Sequence, residues 1–161
     1  MRYETAKADE LRRDFWKALN QSPFLFLQLR DRPETAVPMS PQIDEDANSA
    51  IWFFTHTNSD FCKLGPALAT FQGKGHDIYA RFNGVLVRET SQERFDQFWN
   101  NFVKAWYDGG REDPDIVFLR MDLGDAEIWS GDLGLLNTAK MALGMTVHDE
   151  AEEEHEQNVP L

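Results

Sequence analysis

Leu11, Phe15, Trp16 and Leu19 recur at helical spacing with Arg12, Arg13 and Lys17 between them, which predicts an amphipathic helix over residues 5–20. Ser22-Pro23 ends it, because proline pushes the preceding residue out of the helical region. The run Phe24–Leu29 is aromatic and aliphatic enough for a largely buried strand. Arg32-Pro33-Glu34 then predicts a turn. Residues 35–41 return as a second strand whose prolines place it at an edge or bulge.

The polar stretch 42–49 reads as a hairpin loop leading to a third strand, Ile51–Thr55. A short helix is expected over Asn58–Leu64, capped by Asn58 or Ser59 and stopped by Gly65-Pro66. Residues 67–71 and 77–82 read as strands joined at Gly73-Lys74-Gly75, and Asn83-Gly84 predicts a tight hairpin into Val85–Glu89. Thr90 and Glu93 have the spacing of a capping box. Behind them Phe95, Phe98, Trp99, Phe102, Val103 and Trp106 form one aromatic stripe at offsets 0, 3, 4, 7, 8 and 11, ended by Asp108-Gly109-Gly110. Residues 116–121 and 126–129 predict the last two strands, and residues 133–143 a closing helix stopped by Gly144. Short, mostly antiparallel strands, about six or seven of them, with three helices imply a mainly β fold with flanking helices (α+β), built as a closed or split β-barrel.

With 161 residues the chain reads as one domain, residues 1–146, followed by a tail at 147–161. That tail holds six carboxylates and neither Lys nor Arg, so it is expected to be disordered, and it carries half of the net charge of −12. The rest of the chain is still acidic, which argues against a nucleic-acid partner. No apolar run approaches the roughly 20 residues of a membrane span, and the charged N-terminus has no apolar signal core. A single cysteine, Cys62, excludes an intrachain disulfide and fits a reducing cytoplasm.

Phosphate-cradling glycine loops, dinucleotide fingerprints and GxSxG elbows are absent, and no residue is nominated as catalytic. Of the histidines, His148 and His155 lie among tail carboxylates, where solvation outweighs metal binding, and no metal site is expected. His56 follows the strand-ending Thr55 and borders any pocket there, although a plain loop histidine is the simpler reading; His76 reads the same way beside Lys74. The aromatic stripe reads as core or subunit interface. It is broad enough to favour a homodimer.

Five segments in order resemble one family: Val37-Pro38-Met39, Trp52-Phe53-Phe54-Thr55, Lys104–Gly110 (KAWYDGG), Glu112-Asp113-Pro114 and Ala126-Glu127-Ile128-Trp129. Together they make the chain similar to the pyridoxamine 5'-phosphate oxidase-like superfamily, in particular to its general stress protein 26 group, over about Ala8 to Gly144. The resemblance implies a split β-barrel homodimer with FMN at the subunit interface, and a flavin-dependent oxidoreductase whose substrate is not named. It assigns cofactor binding to Val37, Met39, Phe54, Thr55, Ser59, Lys63 and Trp129, the last reaching across the dimer. Where the family often carries Arg before Pro-Met this chain has Val37, and Phe61 stands where a Lys commonly follows the Phe-Thr strand. Each lost cation would remove about 1.5–3 kcal/mol of charge-assisted hydrogen bonding to a phosphate. Lys63, Lys74, Arg81 or backbone amides around Ser59 are left to compensate. Leu135, Asn137 and Ala139 replace the charged stretch of true pyridoxamine phosphate oxidases, so vitamin B6 oxidation is not expected. The alternative is a non-catalytic split barrel that has lost strong FMN binding and serves as an interaction module, or that binds another planar ligand such as haem or a deazaflavin.

Overall fold

The computed structural model describes residues 2–47, 49–130, 142–144 and 155–161. Helix α1 spans Arg2–Gln21. Among the described residues the strands are β1 Leu25–Leu29, β2 Arg32–Met39, β3 Ala50–His56, β4 Gly65–Gln72, β5 Ile78–Arg88, β6 Ile116–Ser130 and β7 His155–Pro160. A 3-10 turn, Asp60–Lys63, follows β3, and helices α2 (Gln92–Phe98) and α3 (Asn101–Lys104) lie between β5 and β6. No helix among the described residues is long and apolar enough to cross a membrane.

All strand pairs are antiparallel, in the order β2-β1-β4-β5-β6-β3 with β7 also on β6. The residues just after β2 meet β3, the other end of that path, at one isolated bridge. There Gln42 and Trp52 exchange amide–carbonyl hydrogen bonds of 2.7 and 3.0 Å. Pro38 and Pro41 have no amide hydrogen to extend this pairing, so the expected β2–β3 hairpin is reduced to a single rung and the barrel stays split at that seam. The mainly β, split-barrel architecture is the one the strand pattern predicted.

Inside the curved sheet, Leu11, Phe15 and Leu19 of α1 bury against Leu27, Phe71, Phe82, Leu119 and Ile128. Phe15 meets Phe71 and Phe82 edge-on at 5.9 and 5.4 Å. Each such side chain contributes about 1.5–3 kcal/mol through burial.

Several local expectations fail for physical reasons. Arg32-Pro33-Glu34 is the start of β2, and the turn lies before it at Arg30-Asp31. Asn83-Gly84 is no turn, because β5 runs straight through it with a register shift between Phe82 and Gly84. A Cβ on residue 84 would lie 2.7 Å from the Asp122 carbonyl oxygen, so the glycine serves close approach of β6 at a bulge. Residues 116–121 and 126–129 are likewise one strand: β6 pairs β3 with its first half and β7 with its second. The acidic tail, expected to be disordered, contains a strand. His155–Pro160 forms β7, which covers the edge of β6 beyond the reach of β3 and buries Val159 opposite Ala126. The closing helix expected at 133–143 lies outside the described residues apart from 142–143.

The long aromatic helix is broken in two. Ser91, not Thr90, caps α2 by accepting from the Arg94 amide at 3.2 Å. Trp99 and Asn100 are then extended, and the Asn100 side chain caps α3 by accepting from the Val103 amide at 3.0 Å. An Asn that bonds its own backbone competes with a continuing helix. Phe95 and Phe98 therefore pack on Phe54, Trp52 and Phe118, while Phe102 and Trp106 turn outward, 85% and 74% exposed.

Candidate functional site

A cleft of about 330 Å³ opens where the barrel is split. Pro38, Met39 and Ser40 form one wall at the end of β2, Phe54, Thr55 and His56 form the other at the end of β3, and Gln42 lies beside them. Val103, Phe102, Trp106 and Tyr107 close the third side. The size is near the lower end of the roughly 300–1,000 Å³ usual for small-molecule sites.

Hydrogen bonds fix the β3 end of the cleft. The Tyr107 hydroxyl donates to the Thr55 carbonyl at 2.6 Å and is buried. Burial first, then the negative charges of Asp115 and Asp113, push the Tyr107 phenol up to about 12, so it remains a donor at neutral pH. His56 lies 4.8 Å from the Tyr107 ring, centre to centre, and its Nδ1 is 2.6 Å from Asp115 Oδ2. The other carboxylate oxygen of Asp115 accepts from the Thr57 hydroxyl at 2.5 Å and the Thr57 amide at 3.0 Å. These Thr57 bonds, with that of His56 next, hold the Asp115 carboxyl down at about 2. The Cys62 thiol donates to the His56 carbonyl at 3.4 Å, so Cys62 has a structural task.

The structure brings three of the residues named from sequence into this cleft: Met39, Phe54 and Thr55. Val37 lies on β2 opposite Leu27, exposed and outside the lining. Ser59 caps the 3-10 turn by accepting from the Phe61 amide at 3.1 Å, and Phe61 is buried in the core. The Lys63 side chain is 61% exposed with its ammonium 3.8 Å from Asp60, whose carboxylate is also 3.6 Å from the Arg32 guanidinium. Trp129 sits on the second half of β6 between Tyr79 and His155, and stacks on the His155 ring at 5.0 Å with 5° between planes. His56, Phe102, Trp106 and Tyr107 were not assigned to the site from sequence. The Asn100-Asn101 doublet, a capping signal inside the aromatic stripe, was the clue to the break that turns Phe102 and Trp106 outward.

The cleft fits the flat ring of a flavin better than its phosphate. Met39, Phe54 and Val103 offer apolar contact, and Ser40, Gln42, Thr55 and His56 offer polar edges. Among the described residues neither Lys nor Arg lines it, and Lys63 and Arg32 both face Asp60. Among the described residues no cluster of His, Cys, Asp and Glu could hold a metal ion.

A curled antiparallel sheet left open at one seam, with helices on its flanks, defines a split barrel. The chain belongs to the pyridoxamine 5'-phosphate oxidase-like family, whose model matches residues 10–152. It is similar to the crystal structure of the general stress FMN/FAD binding protein of Xanthomonas citri, at 36% identity over 79% of this chain and 93% of that one, with a TM-score of 0.72. A general stress protein 26 candidate from Jannaschia sp. CCS1 matches at 31% identity over 95% of this chain and 99% of that one, with a TM-score of 0.75. A general stress family candidate from Xanthomonas campestris pv. campestris gives 35%, 79%, 92% and 0.67 in the same order. No curated protein matches the chain. The general stress resemblance carried by the five segments thus holds across most of its length.

Proposed function

We propose that this protein is an FMN-binding homodimer of the general stress type, working in the cytoplasm as a flavin-dependent oxidoreductase. The observation that carries this is the position of the cleft: Met39 and the Phe54-Thr55 strand end face each other across the barrel's split, in a chain 36% identical to a protein described as binding FMN or FAD. Met39, Phe54 and Thr55 would hold the ring, and Ser59 with Lys63 would meet the phosphate once Lys63 turns from Asp60. The flavin, when bound, supplies the electron-transfer chemistry, and the protein's part is binding, orientation and exclusion of water.

Exposed aromatic side chains support the dimer. Phe102 and Trp106 stand at the rim of the cleft, and Phe24 and Phe26 are 64% and 53% exposed on β1 and the residue before it. Apolar groups of this size left in water mark an interface. A second copy seated there would roof the cleft, and Trp129, like the exposed Val37, would serve the neighbouring copy's site.

One observation favours a second reading. Phe61 is buried and Val37 is apolar, so two places where relatives often carry a cation hold none. A non-catalytic barrel taking another planar ligand, such as haem or a deazaflavin, would need no such cation. Titration of purified protein decides: quenching of FMN fluorescence at micromolar protein, with a sedimentation mass of two chains, is expected. A single-chain mass, or no response to excess FMN alongside binding of haem, overturns the FMN dimer.

A further inference from the structure

We infer that His56 is the proton-accepting, ligand-contacting residue of the cleft, with Asp115 as its positioning residue. This rests on the flavin reading above and adds a role to a residue that reading does not use. His56 lines the cleft. Its ring is held at two points and its backbone at a third. Nδ1 lies 2.6 Å from the Asp115 carboxylate, the face lies 4.8 Å from the Tyr107 ring, and the backbone carbonyl takes the Cys62 thiol. Asp115 is itself locked by the Thr57 hydroxyl and amide, and its own amide donates to Asp113 Oδ1 at 2.9 Å.

The direction of the proton follows from this arrangement. A carboxylate that stays ionised accepts the Nδ1 hydrogen, so the neutral imidazole must carry its lone pair on Nε2. Among the described residues Nε2 has no hydrogen-bond partner in the protein. The His56 side chain is 38% exposed, so water serves Nε2 in the free protein, and a planar ligand presenting an N–H or O–H at its edge, as the imide of an isoalloxazine ring does, replaces that water. When Nε2 accepts a proton outright, Asp115 balances the charge of the imidazolium. The titratable groups around the ring are Asp115 and Asp113 before β6, Tyr107 after α3 and Cys62 in the 3-10 turn; Asp115 is held ionised by the Thr57 and His56 bonds and Tyr107 is held protonated by burial.

The test uses riboflavin, which has no phosphate to titrate, with FMN as a parallel probe. Wild-type affinity for riboflavin at about pH 8 is expected to exceed that of His56→Ala by about tenfold, as the substitution removes the acceptor. His56→Gln, which keeps an acceptor, retains most of that affinity, and Asp115→Asn, which no longer fixes the Nδ1–H tautomer, loses part of it. In the unsubstituted protein, nitrogen-15 NMR is expected to show the Nδ1–H tautomer of His56 and a shift of Nε2 on adding riboflavin, so the inference does not depend on variants that fold. If His56→Ala binds both flavins as the wild type does, or Nε2 does not respond, the role of His56 is overturned and the flavin reading stands. If neither flavin binds at any pH, both fall.

Discussion

The Tyr107 hydroxyl donates to the Thr55 carbonyl, joining the segment after α3 to the end of β3 across fifty-two positions of sequence at 2.6 Å. Both residues line the cleft. Tyr107→Phe removes the donor and leaves the carbonyl without it, so a loss of about 1–2 kcal/mol is expected in urea unfolding. The phenol's pKa is raised from 10.0 to about 12 by burial and then by Asp115 and Asp113. A raised value means that its stabilisation is complete below pH 10 and lost as pH rises towards 12. Thermal melts of the wild type against Tyr107→Phe across that window should converge at the alkaline end.

Gly84 should tolerate no side chain. An added Cβ meets the Asp122 carbonyl at 2.7 Å and the Met121 side chain at 2.8 Å, and backbone cannot yield as a side-chain tip does. Gly84→Ala is expected to cost about 1–3 kcal/mol, read as a drop in melting temperature. An unchanged melt would show that the bulge has slack.

Glu89 gathers three donors: Trp52 Nε1 at 3.0 Å, Arg120 at 2.9 Å and the Ser91 amide at 2.9 Å. Burial alone would raise its pKa, but these bonds outweigh that and hold the carboxyl below its ordinary 4.5. Its stabilisation is therefore present above pH 4.5 and lost as pH falls through the lowered value. Glu89→Gln should cost about 1–3 kcal/mol at neutral pH and progressively less in acid. Asp96→Asn, at an exposed pair with Arg111, should change stability by less than about 1 kcal/mol.

Removal of residues 155–161 strips β7 from β6, uncovers the site filled by Val159 and leaves the Trp129 ring without His155. A lower melting temperature and stronger binding of a hydrophobic dye are expected. A truncated chain that melts like the full one would mean that β7 adds nothing to the sheet.

Aromatic solvent exposure can be tested apart from the core. Phe102→Ser should leave monomer stability within about 0.5 kcal/mol, since the side chain is almost wholly in water, yet, in the proposed dimer, raise the dissociation constant in sedimentation equilibrium.

Local rules carried much of this protein. The periodicity of Leu11, Phe15 and Leu19 determined α1 and its buried face, because that signal lies within one element. Apolar runs located β1 and β3, and the ordered segments identified the family and put Met39, Phe54 and Thr55 on facing strand ends. Tertiary contacts decided the rest. Asn83-Gly84 is a turn signal by itself, and only the close passage of β6 makes it a bulge. The tail reads as solvated charge until the open edge of β6 gives His155–Pro160 backbone partners. His56 looks like any loop histidine until Asp115, fifty-nine positions away, orients its ring at the mouth of the cleft. Those outcomes depend on groups distant in sequence and near in space, which no window along the chain contains.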